Sequence, residues 1–133
     1  PDSYLPDVHA RLVLYKRITG TRSTEELHEL QLETIDRFGL LPEIAKSFFR
    51  ISKLQLVSES LNIRRFTLDR NGGKIEFEQI STVDPDRVLE LMHSHPKIFR
   101  MTGNHVIQIR APLEEHQTRL RFAEDTLLQL STT

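Results

Sequence analysis

His93 and His95, two residues apart before Pro96, are the side chains of this sequence best placed to hold a metal ion. A zinc site needs ligand atoms converging at about 2 Å. Residues two apart on a helix point about 200° apart, so the imidazoles meet only where the helix breaks, as it does at Pro96. With no Cys and no HExxH spacing to complete a ligand set, the pair reads as a surface or helix-end feature. Gly72-Gly73-Lys74 is the other short run with chemical meaning. A phosphate cradle requires backbone N–H groups, a lysine and a hydroxyl to converge on phosphates and magnesium. Here the upstream glycine is missing and Ile75 stands where Ser or Thr is needed, so the run reads as a turn. No G-x-S-x-G elbow presents a nucleophile. His116 falls on an apolar helical stripe, the usual setting of a partly buried histidine, while His9, His28 and His105 are isolated. Glu114 and Glu115 read as the opening of a helix, where the dipole favours negative charge. No residue is therefore assigned a catalytic, cofactor-binding or metal-binding role.

Two charge patterns are left. Lys46, Arg50 and Lys53 share a flank of one predicted helix, and Arg64, Arg65, Arg70 and Lys74 surround a predicted hairpin. Such a set could serve a nucleic-acid-binding accessory module by neutralising phosphates. Glu76 and Glu78 are expected opposite the hairpin arginines, and no aromatic residues accompany them for base stacking, so cross-strand pairing is the favoured reading. The acidic pattern is sharper. On an ideal helix Glu26, Glu29, Glu33 and Asp36 fall within an arc of roughly 80°, away from Leu27, Leu30, Ile35 and Phe38. Carboxylates four residues apart repel by a few tenths of a kcal/mol, and in the linear sequence only Arg37 stands near enough to relieve them. Charge alone favours a solvated face over a docking surface.

The elements that would position these groups are legible from periodicity and punctuation. Pro1 and Pro6 make the first six residues an extended lead-in, and Asp7 is read as the cap of a first helix running to about Ile18. "STEE" at 23–26 is a capping box that starts a second helix, Thr24 to Phe38, in which the Glu26 carboxylate reaches back to the Ser23 N–H. Gly39 and Pro42 stop it. A third helix, Pro42 to about Leu61, is apolar over most of its circumference and is expected to be central, ending at Asn62, which tolerates a left-handed conformation. The period then changes to two: "IRRFTLD" and "KIEFEQI" flank "RNGG", a hairpin with Ile75 and Phe77 facing the core. Asp84 and Pro85 begin a fourth helix. "IFRM", the turn "TGNH" and "VIQIR" form a second hairpin. A last helix from about Pro112 to Leu130 carries Leu113, His116, Leu120, Ala123, Leu127 and Leu130 as its stripe. Three helices, hairpin, helix, hairpin, helix is the α+β class, an antiparallel sheet with helices on one face.

Composition bounds the rest. A chain of 133 residues makes one domain, 1–133, able to bury roughly two-thirds of its unfolded surface without staples. No Cys means no disulfide framework and no thiolate chemistry. A net charge of −1 excludes a global field toward nucleic acid or an anionic membrane, and no apolar run approaches the ~20 residues of a membrane span. Neither a membrane nor a small-molecule substrate is expected as partner. Opening on Pro1 rather than Met, the sequence is expected to be a piece of a longer chain.

"YLPDVHARLVLYKRI", "ELHELQLETIDRFGLLPEIAKSFFRISKLQL", "LNIRRF" and "GGKIEFE" together resemble the C-terminal domain of the bacterial transcription-repair coupling factors, the large ATP-driven translocases known as Mfd. The resemblance covers nearly the whole chain; Asn62 stands where the family commonly has glycine. It implies a cytoplasmic, bacterial, non-catalytic regulatory domain without a cofactor of its own, ATP and magnesium being used by the parent. In the family this domain folds back on an N-terminal module resembling the repair protein UvrB. There it covers the surface that recruits UvrA and represses the DNA translocase until stalled RNA polymerase is engaged. The family's contacting charges match Glu33, Asp36 and Arg37, which extends the implied interface along Glu26 and Glu29.

Overall fold

A cap, a glycine and a left-handed asparagine mark the three sharpest boundaries in the chain, and each is where the residue types require it. The computed structural model describes residues 8–79, 83–103 and 105–131. The lead-in 1–6, the Asp7 cap and Asn104 of the second turn lie outside those residues. Contacts divide the chain into two compact units, Pro1–Leu56 and Val57–Thr133.

The first unit is helical. It holds α1 (Val8–Thr19), α2 (Thr24–Phe38) and the larger part of α3 (Glu43–Ser60). Ser23 is extended, and its hydroxyl accepts from the Glu26 N–H at 3.0 Å. That satisfies one of the four amide donors a helix start leaves orphaned. The return half of the capping box differs from expectation: Glu26 Oε2 accepts from the N–H of Arg22, one residue earlier, at 3.1 Å. At the other end Gly39, at φ +96°, donates to Ile35 O at 2.8 Å and lets the chain leave the helix. Ile18, Leu27, Leu30, Leu41 and Phe49 make the core of this unit. Thr34 joins the buried stripe because its hydroxyl is satisfied within the helix by Leu30 O at 2.7 Å. Two expectations change here. Phe38 is 42 % exposed, and α3 buries only Phe49 and Ser52 outright, with Ile44 71 % exposed. The interior of so small a helical unit is a single line of contact, too narrow to cover an apolar circumference.

The second unit is α+β. Asn62 is the non-glycine residue at positive φ (55°) among the described residues, and it turns the chain from α3 into β1 (Ile63–Asp69). β1 pairs with β2 (Gly72–Phe77), β2 with β4 (Val106–Arg110), and β4 with β3 (Phe99–Thr102), all antiparallel, in the order β1-β2-β4-β3. Between the hairpins lies α4 (Pro85–Ser94), whose Asp84 cap accepts from the Asp86 N–H at 2.9 Å, and α5 (His116–Ser131) closes the described chain. The first turn is Arg70–Asn71 rather than Asn-Gly, since Asp69 and Gly72 already pair. Asp69 Oδ1 accepts from the Asn71 N–H at 2.8 Å, a local bond that tightens the turn. The two glycines are therefore strand residues. A Cβ on Gly72 would lie 2.0 Å from Ile109 O and one on Gly73 1.8 Å from Thr67 O, so neighbouring backbones require their bareness.

Ile75 and Ile107 pair across β2 and β4 and are fully buried, while Phe77 is half-buried. On the same side Phe99 stacks on Phe122 of α5 with ring centroids 5.8 Å apart, which seats the helix on that face. α5 begins four residues later than its apolar pattern implied. Leu113 is buried in the segment before it, held where Arg119 donates to Leu113 O at 2.7 Å and Glu114 O at 2.9 Å. Consequently Glu114 and Glu115 precede the helix, and His116 is exposed in its first turn rather than partly buried on the stripe. The stripe itself continues as Leu120, Ala123, Thr126, Leu127 and Leu130. Among the described residues no helix is long and apolar enough to cross a membrane.

Candidate protein interface

The predicted acidic stripe lies on α2 in the first unit, and the structure rearranges its members. Glu26 is turned toward the Arg22 amide and serves the helix start. Glu33 is not relieved by Arg37, as the linear sequence implied. Its Oε2 accepts from Arg17 Nη2 at 2.7 Å, across the α1–α2 contact. Both side chains are about half in water (50 % and 43 % exposed), so the pair contributes at most about 1 kcal/mol to stability. Its larger effect is positional: the carboxylate is held with Oε1 still able to accept. Glu29 and Asp36 are exposed and have no ion-pair partner among the described residues.

Beside Glu33 runs a groove of about 190 Å³ between α1 and α2. Val13, Leu14 and Phe38 make its apolar wall, with Arg17, Glu33 and Arg37 as its charged rim. Val13 is 44 % exposed. The Arg37 guanidinium sits 5.3 Å from the centre of the Phe38 ring, a cation–π contact that holds the cation over the aromatic edge of the groove. An apolar strip flanked by oriented charges is the anatomy of a protein–protein contact, in which the strip contributes affinity and the rim fixes partner and register. The structure thus brings Glu33 and Arg37 to one groove, sets Asp36 and Glu29 on its outer flank, and leaves Glu26 at the far end of the helix. Arg17, Val13 and the exposure of Phe38 were missed from sequence. The surplus of large apolar residues in "RLVLYKRI" was the signal, since within that run Ile18 alone is buried outright and Leu12 and Tyr15 are more than half exposed.

The other sequence candidates are dispersed. His95 caps α4, its N–H donating to Leu91 O at 3.2 Å, and its ring meets Phe99 edge-on at 6.1 Å; His93 and His95 are both exposed. Of the helix-three cations, Lys46 lies 3.5 Å from Glu43. Arg65 is opposite Glu76 as expected, yet the ion pair Glu76 makes is with Lys74 on its own strand, at 2.9 Å. The hydrogen bond from Lys74, then its charge and those of Arg65 and Arg64, hold the Glu76 carboxyl below its ordinary pKa against the opposing effect of desolvation.

The fold has a solved counterpart. The crystal structure of a C-terminal domain of transcription-repair coupling factor superposes with a TM-score of 0.73 over 98 % of this chain and 86 % of that one, at 19 % identity. Two α+β chains so matched share an architecture: a helical N-terminal part followed by a four-stranded antiparallel sheet. The TRCF domain family matches residues 1–88, and the chain belongs to that family. Over 127 residues it is 41 % identical to the transcription-repair-coupling factor of Haemophilus influenzae, and over 130 residues 35 % identical to that of Escherichia coli. Those alignments take in 96 % and 98 % of this chain and 11 % of either relative, so the chain spans about a ninth of their length.

Proposed function

We propose that this chain is the non-catalytic regulatory domain of a transcription-repair coupling factor. It docks on the UvrB-like N-terminal module of its own polypeptide, masks the UvrA-binding surface, and represses the ATP-driven DNA translocase until stalled RNA polymerase is engaged. The observation that carries this reading is the α1–α2 groove, whose exposed Val13 and Phe38 lie beside Glu33 and Arg37. Nothing in the folding of the helices needs an aromatic ring left in water beneath an arginine. Membership of the TRCF family supports the assignment to this parent. ATP and magnesium belong to the rest of that parent in this reading, and the α1–α2 surface contributes protein contacts alone.

Arginines of the partner module reach Glu33 Oε1 and Asp36 by charge-assisted hydrogen bonds, Arg37 reaches a partner acid, and an apolar partner residue covers Val13 and Phe38. Truncating one member of such a desolvated pair costs roughly 2 to 5 kcal/mol. Release then needs only competing contacts elsewhere on the motor that exceed this difference, because a ligand shifts a two-state equilibrium by its differential affinity and no more. In the full-length parent, Asp36→Arg with Glu33→Gln should raise ATPase activity in the absence of polymerase and expose UvrA binding. Both substitutions are on exposed positions, so the fold is retained. ATPase and UvrA binding indistinguishable from wild type would refute the reading.

A further inference from the structure

The sheet face turned away from α5 differs from the rest of the surface. One register row crosses all four strands: Thr67 opposite Lys74, Lys74 opposite Gln108, Gln108 opposite Arg100. Lys97, just before β3, and Arg110, two residues along β4, add cations, and together these side chains bound a shallow concavity of about 530 Å³. All of them except the half-buried Lys74 are exposed. Lys74 is engaged by Glu76, and Asp69, the acid of the lining, commits Oδ1 to the Asn71 amide. Among the described residues Lys97, Arg100 and Arg110 have no carboxylate within ion-pair distance. In a chain of net charge −1, three unpaired cations on one face form a local positive field.

We infer that this face binds the phosphate backbone of a nucleic acid. The cations do not converge on one point: Lys74 and Arg100 start two strands apart, about 10 Å, and Arg110 lies about 7 Å further along β4 from the Gln108 level. Such a spread suits a polyanion rather than a single phosphate. Protein partners are gripped largely by aromatic anchors, and this lining holds none; of its apolar members Ile109 is buried, Ile98 half-buried and Pro96 exposed. It offers instead guanidinium forks shaped for phosphate, with the Gln108 carboxamide beside Arg100 and the Thr67 hydroxyl at the far end of the row. Lacking aromatic platforms, the face positions the backbone without reading bases. This inference is independent of the α1–α2 docking reading and concerns the other unit.

The test is a fluorescence-anisotropy titration of the 133-residue chain with a labelled DNA duplex of mixed sequence. Three neutralised phosphates predict an affinity loss of about forty-fold between roughly 50 and 200 mM salt. Arg100→Gln with Arg110→Gln should weaken binding and make the log–log salt slope shallower by about 1.8, with an unchanged circular-dichroism spectrum. Lys53→Gln on α3 should leave the titration as it is. Absence of binding at the lowest salt would overturn the inference, as would a slope unaltered in the double variant. Displacement of the duplex by polyglutamate at equal charge concentration would assign the face to an acidic polypeptide instead.

Discussion

Arg17 and Glu33 meet across two helices with both side chains half in water, and this sets what their loss can do. Arg17→Ala should cost the isolated chain less than about 1 kcal/mol in a urea titration. A larger loss would mean the pair is structural rather than positional. Ser23 acts on the backbone instead: its hydroxyl satisfies an amide donor that the start of α2 leaves without an intrahelical partner, so Ser23→Ala should cost about 1 kcal/mol. Glu76 supplies the pH dependence. Its folded-state pKa lies below the unfolded one, so its contribution is fully present above the unfolded value and is lost as pH falls through the folded value. Wild type and Glu76→Gln should therefore differ in stability at neutral pH and converge in acid; parallel curves throughout would contradict the assignment. At this scale the sequence was least legible. The charges of the stripe could be named, but that Arg17 neutralises Glu33 depends on a tertiary contact that no spacing rule encodes, and the Glu26 carboxylate takes the Arg22 amide in place of the Ser23 amide of the capping box.

Element boundaries were far more legible, wherever a residue's own backbone chemistry decides. Ser23, Gly39, Asn62, Asp84 and Pro85 each act through local hydrogen bonding or allowed φ, and each bounds its element as read. Boundaries decided by tertiary contacts were misplaced. The start of α5 moved to His116 because Arg119 holds the preceding carbonyls, and the first hairpin turn moved to Arg70–Asn71 because Gly72 and Gly73 are needed inside the sheet. That last point is testable. Gly73→Ala must place a methyl 1.8 Å from Thr67 O, and should destabilise the chain by roughly 3 kcal/mol or more, at the upper end of single substitutions. A melting temperature within a degree or two of wild type would show that β1 and β2 can part locally.

Across the whole molecule, the α+β class and the order of elements followed from periodicity, and family membership from motifs that span both units. The candidate surface was only half visible: Glu33 and Arg37 of its rim could be read from helix α2, but Arg17 and the apolar floor could not, since Val13 drew no assignment and Phe38 was read with the apolar stripe. An exposed strip of this kind has meaning only if something covers it. The most direct measurement is a calorimetric titration of this chain onto the separately purified UvrB-like N-terminal module proposed as its partner. Saturable binding by wild type, weakened at least ten-fold (about 1.4 kcal/mol) by Asp36→Arg and also by Phe38→Ala, is the predicted result. Equal affinity for all three chains, or no binding by any, would contradict it.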